Sequence, residues 1–179
     1  MLEWRQSAKA ALFWALIALA SVFAYENGLE RLLGESHGPA AATAETLIVG
    51  RASVIDGDTL KIDGQRIRLF GIDAPETRQT CRDESGRDYP CGRRAGTALS
   101  NKIGSNTVSC EKKDVDRYQR AVAICRASGA DLNRWMVREG WAVAYKRYSR
   151  QYASAEAEAK AARRGIWAGT FVPPEAWRR

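Results

Sequence analysis

The sequence is almost devoid of histidine. Its single histidine is His37, in a stretch rich in Gly, Pro and Ala, and none follows it. Ser-His-Asp and Cys-His triads, paired-histidine ribonuclease chemistry and multi-histidine zinc sites all need a histidine within the fold. These classes are therefore excluded, and any catalysis must use carboxylates, arginines, backbone groups and a hard metal ion.

Cysteine is scarce as well, and it is not spaced for zinc. The separations are 10, 19 and 15 residues, with no C-x-x-C pair, between Cys81, Cys91, Cys110 and Cys125. That spacing argues against a zinc site. An even number in two compact pairs is typical of disulfides in an oxidising compartment, and four reduced cysteines are the alternative.

The apolar run near the N-terminus is short for a membrane span. Ala10 to Tyr25 is sixteen uncharged residues, whereas a spanning helix needs about twenty. Arg5 and Lys9 precede the run and Glu26 follows it, an order that directs the rest of the chain out of the cytoplasm. We predict a hydrophobic helix that anchors the protein to a membrane within residues 1–30, with a linker at 31–45. The alternatives are a signal peptide, cleaved to release a secreted protein, and a buried core helix.

Positive charge is concentrated after the linker. Residues 1–45 contain three basic and five acidic side chains, whereas residues 46–179 contain 25 basic and 16 acidic ones, a net charge of +9. A basic domain suits a polyanionic partner such as nucleic acid, because binding releases counterions from the phosphates. The other interpretation of this charge is solubility alone. No protein partner is inferred.

Residues 46–179 are predicted to form one α+β domain. Alternating apolar residues and the dipeptides Asp56-Gly57 and Asp63-Gly64 predict a meander of three strands and then two more, at 47–55, 59–62, 67–70, 107–110 and 121–125. Helices are predicted at 93–102, 132–139 and 154–164, the last two ending at glycines. Five short strands with about three α-helices favour a small barrel, with the OB-fold as the leading candidate. Disulfides would then join Cys110 to Cys125 across a hairpin, and Cys81 to Cys91 within a long loop.

Acidic and basic residues are predicted to meet at one rim of this barrel. Asp58 begins one strand and Asp73 ends its neighbour, so the pair could hold a hard cation. Glu76 follows in a turn fixed by Pro75, and Arg68 lies on the strand that leads there. A cation, a free carboxylate and a guanidinium group are the components of phosphodiester hydrolysis. Each motif alone is also compatible with ordinary turns and surface charges.

Three motifs in order resemble the thermonuclease (staphylococcal nuclease-like) family. They are V-I-D-G-D-T at 54–59, R-L-F-G-I-D-A-P-E at 68–76 and D-R-Y-Q-R at 116–120, and the similarity covers roughly residues 46–168. The resemblance implies a five-stranded OB barrel with three helices. It implies Ca²⁺ bound by Asp58, Asp73 and the backbone carbonyl of Ala74. Glu76 would activate water, Arg68 and Arg120 would bind the scissile phosphate, and DNA or RNA would be cut to leave 3′-phosphates.

The sequence departs from the family pattern at a few positions. Ala74 stands where the prototype has Thr, which preserves a ligand carbonyl but removes a hydroxyl. Gln119 replaces a Gly in the hairpin before Arg120, and the loop 77–91 is longer and carries two cysteines. The tyrosines Tyr118, Tyr145 and Tyr148 are candidates for stacking on bases or contacting phosphate, and packing at the core or rim is the alternative for each.

The sequence therefore favours a calcium-dependent endonuclease with its catalytic domain outside the cytoplasm. A catalytically silent OB-fold module that only binds nucleic acid is the alternative. A silent module would be expected to lack acids or arginines of the site, and all five side chains are present. A membrane-anchored structural domain would leave the cluster of carboxylates and arginines unexplained.

Overall fold

A computed structural model describes residues 47–179, so the predicted anchor at 1–30 and linker at 31–45 lie outside the described residues. Ten strands occur in this part of the chain: β1 (Leu47–Val54), β2 (Thr59–Ile62), β3 (Gln65–Leu69), β4 (Ile72–Asp73), β5 (Cys81–Arg82), β6 (Asp88–Tyr89), β7 (Thr107–Val115), β8 (Ala121–Ala127), β9 (Ala130–Asp131) and β10 (Val143–Ala144). The helices there are α1 (Cys91–Ile103), α2 (Leu132–Arg138), α3 (Ala153–Ala161), a 3-10 helix (Gly165–Ala168) and α4 (Pro174–Trp177). None of the helices between residues 47 and 179 has the length and apolar character to cross a membrane.

Five strands close into a barrel, as the sequence predicted. β1 pairs with β2 and β7, β2 pairs with β3, and β7 pairs with β8, all antiparallel. A parallel pairing of β3 with β8 completes the circle. Inward-facing residues of these strands are buried because side chains alternate across a strand, and they include Leu60, Ile62, Ile67, Leu69, Val108, Ala121 and Ala123. The predicted OB-type barrel with helices is therefore confirmed.

Asn133 satisfies the backbone where the barrel closes. The parallel pairing places Leu69 opposite Ala123, and the Phe70 N–H donates to the Ala123 carbonyl at 2.8 Å. The Asn133 side chain, fully buried on α2, donates to the carbonyls of Phe70 (3.0 Å) and Ala123 (3.1 Å). It also accepts from the Cys125 N–H at 3.0 Å. One amide thus bonds to three backbone groups at the point where the barrel closes.

Glu156 joins α3 to the strand β10. Its buried carboxylate accepts hydrogen bonds from the Ala144 N–H (3.1 Å), from Lys160 (3.0 Å) and from Lys146. Burial opposes ionisation of this group, but the hydrogen bonds from Lys146 and Lys160 outweigh it and lower the pKa of Glu156. The carboxylate is therefore charged at neutral pH and holds the third helix against the segment that carries Tyr145.

The structure contains both predicted disulfides. Cys110 and Cys125 are directly opposite each other on β7 and β8, and the bond lies in the barrel core. Cys81 and Cys91 join β5 to the first residue of α1, and they pack with Ile166 in a smaller apolar cluster. All four cysteines of the sequence are thus oxidised.

Two details differ from the sequence prediction. Asp73 does not end a neighbour of β2, because the chain turns at Gly71, whose φ of 70° belongs to the left-handed region that favours glycine. Asp73 instead lies on the short strand β4, which pairs with β10. The second difference is α4, a four-residue helix near the C-terminus that the sequence did not predict and that lies beside the site described next.

Candidate active site

Asp58 is held at the barrel rim by the turn between β1 and β2. Its N–H donates to the Asp56 carboxylate at 3.0 Å, and its carbonyl accepts from the Leu69 N–H at 2.8 Å. The carboxylate is only 4% exposed, and one of its oxygens accepts from the Ala74 N–H at 3.0 Å. The turn therefore fixes this carboxylate beside residues 73 and 74 rather than in solvent.

Arg68 brings the two predicted aspartates together. Its Nη1 donates to Asp58 at 2.8 Å and its Nη2 donates to Asp73 at 2.9 Å. Asp73 is 1% exposed, so both carboxylates are buried on either side of one guanidinium group. They meet at one rim as the sequence predicted, although Asp73 reaches it from a different strand.

The electrostatics of this cluster favour an additional cation. Burial raises the pKa of Asp58 to about 7, although the positive charge of Arg68 works against that rise. Burial also opposes the charge on Arg68, but Asp58 and Asp73 outweigh it and raise the pKa of the guanidinium. A cation bound beside Asp58 would therefore favour the charged form of this carboxylate.

The donor set is small but consists of oxygen atoms. Among residues 47–179 no group of three or more His, Cys, Asp and Glu side chains is arranged to enclose a metal ion. The rim instead offers the carboxylates of Asp58 and Asp73, with Ala74 next to both. Carboxylates, backbone carbonyls and water are the ligands that a hard divalent cation takes, so the residues present fit such an ion.

Glu76 lies in a turn fixed by a buried glutamine. The Gln79 side chain accepts from the Glu76 N–H at 3.2 Å, and the Gln79 N–H donates to the Glu76 carbonyl at 2.7 Å. Gln79 has no exposed surface, and its carbonyl accepts from the N–H of Gly92, the second residue of α1. A Cβ at Gly92 would lie 1.7 Å from the Glu76 carbonyl oxygen, so the helix and the turn are in direct contact.

Arg120 is positioned by the hairpin between β7 and β8. Asp116 accepts from Arg120 Nε at 2.7 Å and from the backbone N–H groups of Tyr118 and Arg120 at 2.9 and 3.0 Å. Burial opposes ionisation of Asp116, but these hydrogen bonds outweigh it and lower its pKa. Gln119 has a φ of 61°, in the left-handed region that favours glycine, so a glutamine adopts this conformation just before Arg120.

The predicted residues share one cleft of about 760 Å³. Its lining includes Asp58, Arg68, Ala74, Glu76, Arg120, Tyr118, Tyr145 and Tyr148, with the Asp73 carboxylate bound to Arg68 behind them. Tyr118 and Tyr148 are 63% and 72% exposed, and the ring of Tyr148 lies 5.0 Å from that of the half-buried Tyr145. The structure thus brings every predicted site residue into or against a single cleft.

Two residues of the site, Gln79 and Arg178, were not predicted from the sequence. Gln79 was missed because a single polar residue in a loop has no diagnostic pattern. Arg178, just after α4, donates to both oxygens of Asp73 at 3.0 Å each and to Glu76 at 2.6 Å. The motif similarity ended near residue 168, so nothing in the sequence placed the C-terminus at this cleft.

Comparison with known proteins agrees with this geometry. The model of the family described as staphylococcal nuclease homologue matches residues 66–169. A succinoglycan biosynthesis protein, ExoI, from Rhizobium meliloti is 46% identical over 129 residues, covering 70% of this chain and 68% of that protein. An uncharacterized endonuclease from Haemophilus influenzae is 34% identical, covering 70% of each chain. A micrococcal nuclease from Shigella flexneri is 32% identical, and the match covers 70% of this chain and 77% of that nuclease.

Proposed function

The chain belongs to the staphylococcal nuclease family, and from that premise we propose that it is a calcium-dependent endonuclease that hydrolyses the phosphodiester bonds of DNA, RNA or both. The observation that carries the proposal is the pair of buried carboxylates, Asp58 and Asp73, joined through Arg68 in the cleft that also contains Glu76 and Arg120. The net charge of +9 on residues 46–179 supports a polyanionic substrate.

Asp58, Asp73 and the backbone carbonyl of Ala74 would hold the calcium ion. When bound, such an ion supplies positive charge beside the phosphoryl oxygens and so favours attack by water. Two carboxylates and a carbonyl are few ligands for calcium. We therefore expect a dissociation constant of about 10⁻⁴–10⁻³ M, the range of extracellular calcium modules.

Glu76 is the proposed base. Its carboxylate lines the cleft on a turn that Gln79 and α1 hold in place, so it can orient a water molecule or accept its proton. We assign it this role because Asp58 and Asp73 are buried against Arg68, whereas Glu76 is nearer to solvent, with 35% of its side chain exposed.

Arg68 and Arg120 are the proposed phosphate-binding residues. Within the Arg120 guanidinium only Nε donates to Asp116, so both terminal nitrogens are available for two parallel hydrogen bonds to a phosphate. Arg68 already donates to Asp58 and Asp73, which orients it toward the cleft and places its charge next to theirs. Tyr118, Tyr145 and Tyr148 would contact the bases or phosphates on either side.

Digestion of plasmid DNA tests this assignment. The full chain should cut DNA with added Ca²⁺ and stop cutting when a chelator is present. Glu76→Gln should lower turnover by about 10²-fold or more if the carboxylate is the general base. Arg120→Lys should also lower it strongly because lysine lacks the planar fork, whereas Arg117→Lys, at the same hairpin, should not.

The test also separates the alternative function. A chain that binds DNA but leaves it intact under all these conditions would be a nucleic-acid-binding module without catalysis. Near-normal turnover of Glu76→Gln and Arg120→Lys with Ca²⁺ would refute the mechanism.

We also propose that residues 1–30 attach the protein to a membrane, that residues 46–179 form the catalytic domain, and that this domain lies outside the cytoplasm. The two disulfides support an oxidising location, and the charges around residues 10–25 support this orientation. Protease added to intact cells or spheroplasts should digest the nuclease domain. Protection until the inner membrane is broken would contradict the proposed orientation.

A further inference from the structure

Residues 171–179, which we call the C-terminal segment, line the candidate active cleft through Glu175 and Arg178. The segment begins after Thr170, which exchanges two backbone hydrogen bonds of 2.9 and 3.0 Å with Arg82 on β5. The Val172 carbonyl accepts from the Gln79 side chain at 2.7 Å, and Glu175 accepts from Arg147 at 3.2 Å. These contacts direct Arg178 onto the acidic side chains.

Arg178 engages the atoms that a metal ion would need. Its Nη1 and Nη2 donate to the two oxygens of Asp73, and Nη1 also donates to Glu76. Burial opposes the charge on Arg178, but its hydrogen bonds to Asp73 and Glu76 outweigh it and raise its pKa. The guanidinium therefore neutralises carboxylates that belong to the proposed metal-binding and catalytic set.

Arg178 and a calcium ion are poorly compatible at Asp73. Calcium binds carboxylate oxygens at about 2.3–2.6 Å, and the Arg178 nitrogens already lie 3.0 Å from both oxygens of Asp73. A divalent ion and a guanidinium at such distances repel each other strongly, and the repulsion is greatest where water is excluded. Arg178 at Asp73 therefore disfavours the ion, and the ion disfavours Arg178.

Resting on the proposed function, we propose that Arg178 competes with Ca²⁺ for Asp73, so that binding of the ion releases the C-terminal segment from the cleft. The site would then alternate between a state in which Arg178 is bound to Asp73 and Glu76 and a state that is loaded with the ion.

The contacts of the segment suit a reversible element. Within residues 171–179 Pro174 alone is buried, whereas Val172 and Trp177 are 49% and 42% exposed. The side chain of Arg178 is 35% exposed and extends from a four-residue helix. Arg68, the other arginine at Asp73, is 19% exposed and lies on a barrel strand. Moving Arg178 therefore costs far less packing than moving Arg68.

Calorimetric titration of the full chain with Ca²⁺ tests the competition directly. Arg178→Gln should bind Ca²⁺ about tenfold more tightly than the unmodified protein if the segment is docked nine-tenths of the time. Arg179→Gln is the matched control. It removes the same charge one residue away, but Arg179 contacts Glu175 and neither Asp73 nor Glu76. The affinity of this control should stay within about twofold of the unmodified protein, the small change expected from one exposed, screened charge.

A second measurement follows the segment itself. In amide NMR spectra, saturating Ca²⁺ should move the signals of residues 174–179 toward those of a flexible terminus and lower their heteronuclear NOE values. The same signals should already be in that state in Arg178→Gln without calcium. Signals that stay unchanged on saturation would overturn the proposal.

The two hypotheses fail in different ways. If the unmodified chain neither binds Ca²⁺ nor cuts DNA, and Arg178→Gln behaves alike, the proposed function is refuted and this inference with it. If the unmodified chain binds Ca²⁺ and cuts DNA, but Arg178→Gln binds no more tightly than Arg179→Gln, only the competition is refuted. Weaker binding by Arg178→Gln would also refute it, because Arg178 would then support the metal site.

Discussion

Removing the two disulfides one at a time should separate stability from catalysis. Cys81 and Cys91 close a loop of 10 residues, and Cys110 and Cys125 close one of 15. In the chain-entropy model, loops of these lengths stabilise the fold by about 2.7 and about 3 kcal/mol. All four sulfurs are buried, so replacing each pair by alanine loses similar packing. The two double variants should therefore have nearly equal free energies of unfolding.

Their activities should differ. Cys91 is the first residue of α1, and the N–H of Gly92 donates to Gln79, whose side chain and backbone hold Glu76. Loss of this disulfide should let the turn that carries Glu76 move, and a displacement of about 1 Å at a catalytic group can cost on the order of 10²-fold in rate. Cys110 and Cys125 join two barrel strands, and neither residue lines the cleft.

Urea unfolding and steady-state cleavage of a fluorogenic oligonucleotide at 25 °C would measure the two effects. We expect both double variants to lose about 3 kcal/mol. We also expect kcat to fall at least tenfold for Cys81→Ala/Cys91→Ala but less than twofold for Cys110→Ala/Cys125→Ala, the difference reflecting displacement of Glu76. Equal kcat values in the two variants, at equal fractions folded, would refute the link between this disulfide and Glu76.

Three other perturbations have distinct expected results. Glu156→Gln should lower the free energy of unfolding by about 2 kcal/mol at pH 7. The loss is limited to this size because its lysine partners are half exposed and regain water. Glu158→Gln on the same helix should leave the free energy of unfolding nearly unchanged. Because the folded-state pKa of Glu156 is lowered, that deficit in unfolding free energy should shrink as pH falls below about 4.5. Asn133→Leu should lower the free energy of unfolding in urea by about 2 kcal/mol or more, because the Cys125 N–H and the Phe70 carbonyl lose the hydrogen bonds of the buried amide. Tyr118→Ala should raise KM for single-stranded DNA about fivefold or more with kcat unchanged, and a fall in kcat alone would contradict a role in binding.

The elements with a periodic pattern could be predicted from the sequence. The alternation at 59–62, the Asp-Gly turn and the glycine stop at Gly140 are local signals, and each lies where it was expected. The third helix ends three residues earlier than predicted, at Ala161 rather than Arg164. The reason is that Arg163 adopts a positive φ of 50°, which ends the helix before the glycine.

The remaining features depend on contacts between distant residues. Asp73 was assigned to the wrong strand because a two-residue strand has no periodicity, and its pairing partner lies 70 residues further along. Gln79 and Val172, or Arg178 and Asp73, are about a hundred residues apart, and no local pattern indicates such pairs. The residues that meet in the cleft were nevertheless predicted, because three separate motifs matched one family in order.

The parallel pairing of β3 with β8, which we call the seam of the barrel, also has a consequence for the order of folding. The β1–β3 meander and the β7–β8 hairpin pair residues that are close in sequence, whereas the seam joins Ile67 to Ala121 and must close a loop of more than fifty residues. Loop closure of that length slows folding, so the seam should form after both hairpins. Arg68 lies in the seam and Arg120 just before it, on opposite sides. A partly folded chain would therefore not bring the two proposed phosphate-binding arginines together, and we expect nuclease activity only after the last step of folding.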